Sequence, residues 1–109
     1  MVSDFGLTSH EVQLIRGALE RHPQVLEAKI FGSRAMGRER PNSDIDIAVW
    51  GNLDHREVLR LHVELEELPL PYLFDVRLYD AIEYRPLQEH IERVGRVLYR
   101  AQPSLESQP

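Results

Sequence analysis

Two carboxylates on one face of a predicted strand constrain this chain more than any other feature of its sequence. Asp44 and Asp46 lie in residues 43–49, where the intervening positions are apolar. On a strand, residues two apart share a face and lie roughly 6.5 to 7 Å apart. Side-by-side carboxylates repel each other unless a hard cation such as Mg²⁺ lies between them and a polyphosphate. The pattern therefore predicts a strand with one face in the core and the other in a metal-binding cleft.

A turn that suits phosphate lies just upstream of this strand. Gly32 and Ser33 follow residues 25–31, which predict another strand. Glycine lets the backbone approach phosphate oxygens closely, and the serine hydroxyl adds a hydrogen bond. The start of a short helix at this point would add positive partial charge. The sequence thus predicts a phosphate site beside the acidic strand.

The segment that joins the turn to the acidic strand is locally basic and holds two further candidate nucleotide ligands. Residues 31–43 contain three arginines and one glutamate, a local charge of +2 in a chain of net charge −5. Arg34 either binds phosphate or is a solvated helix residue. Ser43 either helps to bind the nucleotide by orienting Asp44 or is a simple cap or loop residue. The local charge favours a triphosphate ligand.

The Gly32-Ser33 turn, followed after a short loop by Asp44-x-Asp46, resembles the DNA polymerase β superfamily of nucleotidyltransferases, and in particular its minimal members, the MNT domains. The resemblance covers roughly residues 8–100. In that family a third carboxylate lies on a later strand. Asp75 is the candidate here, because residues 72–78 form the one later run with strand character and an embedded aspartate. The alternatives are that Asp75 is an exposed acid paired with Arg77, or that Asp80 takes the role.

The resemblance implies an activity as well as a fold. Asp44, Asp46 and Asp75 would be the catalytic and metal-binding residues, with two Mg²⁺ ions, and Gly32 and Ser33 would hold the phosphates of ATP. The enzyme would move AMP onto a hydroxyl acceptor. In the minimal family the acceptor is typically a tyrosine of a helical HEPN toxin, so that the chain would act as an antitoxin.

Two other functions stay open from the sequence. The chain could be a noncatalytic antitoxin that neutralises a HEPN partner by binding alone. It could also be the core of a small-molecule adenylyltransferase of the antibiotic-modifying type, which needs an acceptor pocket within one chain or at a homodimer seam. Neither the base preference nor the oligomeric state follows from the residues.

Length and composition limit the remaining possibilities. A chain of 109 residues makes one domain, expected at 1–100 with a flexible tail at 101–109. The absence of cysteine and of a signal-peptide pattern favours a cytoplasmic protein, and no apolar run is long enough to cross a bilayer. The acidic balance, with one lysine beside twelve arginines, argues against direct binding of nucleic acid.

The predicted order of elements is helix, strand, short helix, strand, helix, strand, helix, with an uncertain final strand at 97–99. Two capping boxes, at Thr8 with Glu11 and at Asp54 with Glu57, predict where the first two long helices begin. This order favours an α+β domain in which helices pack mainly on one face of a small mixed β-sheet. The resemblance to polymerase β-like nucleotidyltransferases implies the same fold.

Overall fold

The computed structural model describes residues 5–40 and 43–101. Its elements are three helices, four strands and two short 3-10 helices, in this order: α1 (Ser9–Glu20), β1 (Val25–Phe31), a 3-10 helix (Gly32–Arg34), β2 (Ile45–Gly51), α2 (His55–Glu66), β3 (Phe74–Leu78), a 3-10 helix (Tyr79–Ala81), α3 (Arg85–Val94) and β4 (Arg96–Arg100). The expected tail lies outside the described residues except for Ala101. Across the ranges described, no helix combines the length and apolar character needed to cross a membrane.

The four strands form one mixed sheet in the order β3-β2-β1-β4. β1 pairs antiparallel with both β2 and β4, and β2 pairs parallel with β3. The fold class predicted from the sequence is confirmed, and the uncertain final strand is β4. β2 is a central strand and β3 an edge strand. Because these two strands pair with each other, the two predicted acidic segments are neighbours in the sheet.

The two faces of the sheet carry different helices. The alternating residues Ile45, Ile47 and Val49 of β2 join α1 and α2 in the main hydrophobic core. On the opposite face, Ala48 packs in a smaller cluster with Ile91 of α3. Two helices therefore cover one face, and α3 covers part of the face that also carries Asp46. The sequence did not predict which face α3 would take.

Local sequence accounts for how the first two long helices begin. The Thr8 hydroxyl accepts the Glu11 N–H at 3.1 Å, and the Glu11 carboxylate accepts the Thr8 N–H at 2.9 Å. The same reciprocal bonds join Asp54 and Glu57 at 2.8 and 2.9 Å. Both predicted capping boxes are confirmed, and each satisfies N–H groups that a helix end leaves free.

Candidate active site

Three residues form one row across the sheet where β1 ends and β2 and β3 begin. Phe31 of β1 is the register partner of Asp46, and Asp46 is the register partner of Asp75. Adjacent strands lie about 4.8 Å apart, and register partners point to the same face. The fold therefore places the carboxylates of Asp46 and Asp75 side by side, on the face that α3 only partly covers.

The electrostatic surroundings of Asp46 are unfavourable to its charge. The pKa of Asp46 is raised to about 6, first by burial and then by the negative charges of Asp75 and Asp44. Arg77 and Arg34 act in the opposite direction but do not cancel the effect. A carboxylate destabilised in this way is typical of sites that bind a cation or transfer a proton.

Gly32 lies directly against the Asp46 carboxylate. Its φ of +74° is in the left-handed region that favours glycine, and a Cβ at this position would collide with Asp46 Oδ2. The same residue begins the 3-10 helix that Ser33 continues. The glycine-serine turn therefore lies beside the acidic row, and this position favours glycine both for its conformation and for its lack of a side chain.

Asp75 is half-exposed and already has one basic partner. Arg77 Nε donates to Asp75 Oδ2 at 3.2 Å, and the two side chains are 48% and 45% exposed. The ion pair that the sequence offered as an alternative is thus present, together with the position beside Asp46. Arg77 was not among the predicted site residues, although its place two residues after Asp75 on one strand was the pattern that would have indicated it.

Asp44 lies at the edge of this site, outside the strand. The predicted strand at 43–49 instead begins at Ile45, whose N–H donates to the carbonyl of Leu73 at 2.9 Å. Asp44 is exposed, and its charge still raises the pKa of Asp46. The strand therefore starts one residue after Asp44, so that of the two predicted carboxylates only Asp46 lies within β2.

Arg34 is not placed as a nucleotide ligand, and this corrects the prediction from the sequence. Its side chain is buried, with 1% exposure, and it donates to the carbonyl oxygens of Phe5 and Ser43, both at 2.9 Å. Its guanidinium also lies 4.7 Å from the ring centroid of Tyr72. Arg34 therefore ties the amino-terminal segment, the loop before β2 and the segment before β3 to the glycine-serine turn.

Ser43 has the loop role that the sequence offered as one of its alternatives. Its hydroxyl accepts the backbone N–H of Arg40 at 2.7 Å, and its own N–H donates to the Arg40 carbonyl at 3.0 Å. Its carbonyl accepts from Arg34. Ser43 is thus bonded to both Arg40 and Arg34 just before Asp44, so it contributes to the site by fixing the backbone there.

Replacing Arg34 with methionine is expected to destabilise the protein by about 2 to 4 kcal/mol, because buried carbonyl groups lose their donors. Urea unfolding followed by circular dichroism measures this difference. Arg38→Met is the matched control, since Arg38 is exposed on the same segment, and it is expected to change stability by less than about 0.5 kcal/mol. Equal effects of the two substitutions would contradict the structural role of Arg34.

The donor set of the site fits a hard divalent cation. In the part of the chain that the structure describes, no three acidic or histidine side chains stand close enough to hold a metal ion as they are now oriented. Asp75 is instead turned toward Arg77. However, carboxylate oxygens are the ligands that Mg²⁺ prefers, and burial together with the neighbouring carboxylates of Asp75 and Asp44 disfavours an uncompensated charge on Asp46. Asp44, Asp46 and Asp75 are therefore the residues that could hold one.

Comparison with known proteins agrees with this geometry. The family described as Polymerase beta, Nucleotidyltransferase matches residues 13–104. A search of curated proteins gave no match. Among solved structures, a toxin-antitoxin crystallised with AMP-PNP is similar with a TM-score of 0.70 and 26% identity, over 84% of this chain and 74% of that one.

Two further solved structures share the fold at lower identity. One is a toxin-antitoxin complex of MntA and HepT, with a TM-score of 0.65 and 24% identity over 85% of this chain and 73% of that one. The other is a tri-AMPylated HEPN toxin from Shewanella oneidensis in complex with its MNT antitoxin. Its TM-score is 0.59 at 22% identity, over 84% of this chain and 74% of that one.

Proposed function

This chain belongs to the polymerase beta nucleotidyltransferase family, and on that premise we propose that it transfers AMP from ATP to a tyrosine hydroxyl of a HEPN-type partner and so acts as an antitoxin. The observation that carries the proposal is the row of Asp46 and Asp75 beside Gly32, whose missing side chain leaves room for the Asp46 carboxylate. The similar complexes with AMP-PNP and with an AMPylated HEPN toxin support the choice of donor and acceptor.

Each residue of the site has a part in the proposed transfer. Gly32 and Ser33 would hold the phosphates through backbone N–H groups and the serine hydroxyl. Asp44, Asp46 and Asp75 would hold Mg²⁺, which when bound neutralises phosphate charge and lowers the pKa of the attacking hydroxyl. The acceptor oxygen forms a bond to the α-phosphorus while the bond from that phosphorus to the bridging oxygen breaks, and pyrophosphate leaves. Asp75 would also take the proton of the acceptor hydroxyl.

The transfer rate is expected to fall on the acid side of about pH 6 when Mg²⁺ is limiting. The pKa of Asp46 is raised to about 6, so Asp46 is ionised above that pH and protonated below it. Once Asp46 is protonated it no longer binds a cation. The transfer rate should therefore drop about tenfold for each pH unit below about 6. Because Mg²⁺ competes with the proton, saturating Mg²⁺ should move the fall to lower pH. Initial rates between pH 5 and 8 at two Mg²⁺ concentrations test this, and a profile that ignores Mg²⁺ would contradict it.

A labelling experiment tests the proposed function itself. The chain is incubated with Mg²⁺, the HEPN-type partner and ATP that carries ³²P at either the α or the γ position. We expect label on a partner tyrosine only from the α position, because the adenylate is transferred and pyrophosphate is released. If no label appears and the chain still neutralises the partner, the chain is a noncatalytic antitoxin. If, in a parallel incubation that also contains an aminoglycoside, label goes only to that compound, the chain is a small-molecule adenylyltransferase.

A further inference from the structure

β3 forms the outer edge of the sheet beside the candidate active site. The Ile45 N–H donates to the Leu73 carbonyl, so odd-numbered residues of this segment bond toward β2. Even-numbered residues then direct their N–H and C=O groups outward. The Phe74 N–H does so and donates to Glu66 Oε2 at 2.8 Å. By the same alternation the backbone groups of Val76, the next such residue, face the outer side of the sheet.

A slot follows this edge between the two helical layers. It has a volume of about 420 Å³, and Val76 and Leu78 line its base. One wall is the first turn of α2, including Val58, and the other is the segment 81–84 with Leu87 of α3. Tyr84 lines the slot and is 70% exposed. The slot thus offers outward backbone groups, walls that combine apolar side chains with His55 and Glu83, and an exposed aromatic side chain, as peptide-binding edges do.

The slot is continuous with the acidic row. Arg77 lines the slot and at the same time donates to Asp75 Oδ2. Asp75 and Val76 are consecutive residues of β3, so their backbones are adjacent at this edge of the sheet. Arg77 therefore borders both the slot and Asp75, and a segment bound along β3 would lie next to Asp75.

We propose that this slot receives an extended segment of the HEPN-type partner, which adds to β3 as a further strand and presents its acceptor hydroxyl to Asp75. The inference rests on the proposed function. A polypeptide is favoured as occupant because an added strand uses the outward N–H and C=O groups of Val76, whereas a small acceptor would use only the walls. The apolar wall residues Val58, Ile82 and Leu87 would contact its side chains, and the segment would run past the acidic row at Asp75.

Two substitutions close the slot in different ways. Val76→Pro removes the outward N–H and is compatible with an edge strand, where proline is tolerated when its N faces outward. Ala81→Trp fills the slot from an exposed position on the second 3-10 helix. Val97→Trp is the matched control, because Val97 is 42% exposed on β4, at the opposite edge of the sheet. Circular dichroism verifies that all three variants are folded.

Two measurements on the full chain separate the slot from the nucleotide site. The first is the affinity for AMP-PNP with Mg²⁺ in the absence of partner, and the second is the rate of AMP transfer to the HEPN-type partner. We expect both slot variants to lower the transfer rate by roughly tenfold or more while the affinity stays within about twofold, and Val97→Trp to change neither. Transfer at the normal rate by both slot variants would overturn the proposal. A loss of AMP-PNP affinity as large as the loss of transfer rate would also overturn it, because the slot would then bind the nucleotide.

Amide hydrogen exchange provides a readout that does not depend on catalysis. Binding of the partner without nucleotide is expected to protect the amide of Val76 and to leave β4 unprotected. Protection of β4 instead, or protection of β3 by a second copy of this chain at high concentration, would overturn the proposal. If the partner protects Val76 but the unaltered chain transfers no AMP, the docking site stands and the proposed function fails, so the two failures are distinguishable.

Discussion

Replacing Asp46 with asparagine is expected to abolish AMP transfer and at the same time to stabilise the protein. The transfer rate should fall by roughly a hundredfold or more, because a neutral amide is a poor ligand for Mg²⁺ and Asp46 lies between Asp75 and Gly32. The melting temperature of the nucleotide-free protein should rise. A residue kept only for the fold would give the opposite pair of results.

The sign of the stability change follows from the pKa. Burial and neighbouring carboxylates raise the pKa of Asp46 to about 6 from an ordinary value of 3.8. The folded state therefore holds the proton more tightly than the unfolded chain, so the contribution of Asp46 to stability is lost as pH rises from about 4 through about 6. After allowance for partial exposure, removing the charge at pH 7.5 should stabilise the fold by about 1 to 2 kcal/mol.

Thermal unfolding at pH 7.5 and pH 4 measures this effect. The asparagine variant should melt roughly 5 to 10 °C above the unaltered protein at pH 7.5 and close to it at pH 4. Asp80→Asn is the matched control, because Asp80 is exposed and lies outside the row, and it should change neither the transfer rate nor the melting temperature. If Asp46→Asn left the transfer rate intact, the assignment of the catalytic carboxylates would be wrong.

Replacing Gly32 with alanine is expected to damage both stability and transfer. At a φ of +74° any Cβ is strained, and here it would also meet Asp46 Oδ2. We expect a loss of about 2 to 3 kcal/mol in the free energy of unfolding. The transfer rate should fall by roughly a hundredfold or more, since the collision displaces both the carboxylate and the turn that holds the phosphates.

Gly37→Ala separates the collision from backbone strain alone. Gly37 has a φ of +70°, but a Cβ at this position would have no neighbour within 4 Å. Its substitution should cost about 1 kcal/mol of stability and leave the transfer rate nearly unchanged. Urea unfolding and initial transfer rates of the two variants make the comparison. Equal effects on transfer would show that contact with Asp46 is unimportant.

The parts of the fold that depend on neighbours in sequence were predictable. The capping boxes at Thr8 and Asp54 need only a side chain and a backbone group three residues apart. The alternation in β2 indicated which residues enter the core. The strand character of residues 72–78, with its embedded aspartate, indicated the strand that carries the third carboxylate. The position of Asp75 next to Asp46 was expected from the resemblance to MNT domains and matches the strand register.

The parts that depend on tertiary packing were not predictable from the residues. Nothing in the neighbourhood of Arg34 indicates that its guanidinium would be buried against the carbonyl of Phe5, a residue far away in sequence. An arginine in a basic loop is more often exposed, so a phosphate ligand was the natural prediction. Likewise, α3 packs on the sheet through Leu87, Ile91 and Val94, but both faces of the sheet offer apolar residues, so the face could not be predicted.

We propose that Asp46, Asp75 and the turn at Gly32 form a single site for a cation and a nucleoside triphosphate. A crystal of this chain with AMP-PNP and Mn²⁺, with anomalous scattering recorded for manganese, tests it most directly. We expect a manganese peak in contact with the carboxylates of Asp46 and Asp75. We also expect phosphate oxygens that accept hydrogen bonds from the backbone N–H groups of Gly32 and Ser33. Manganese or phosphate bound elsewhere, with Asp75 still paired to Arg77, would contradict it.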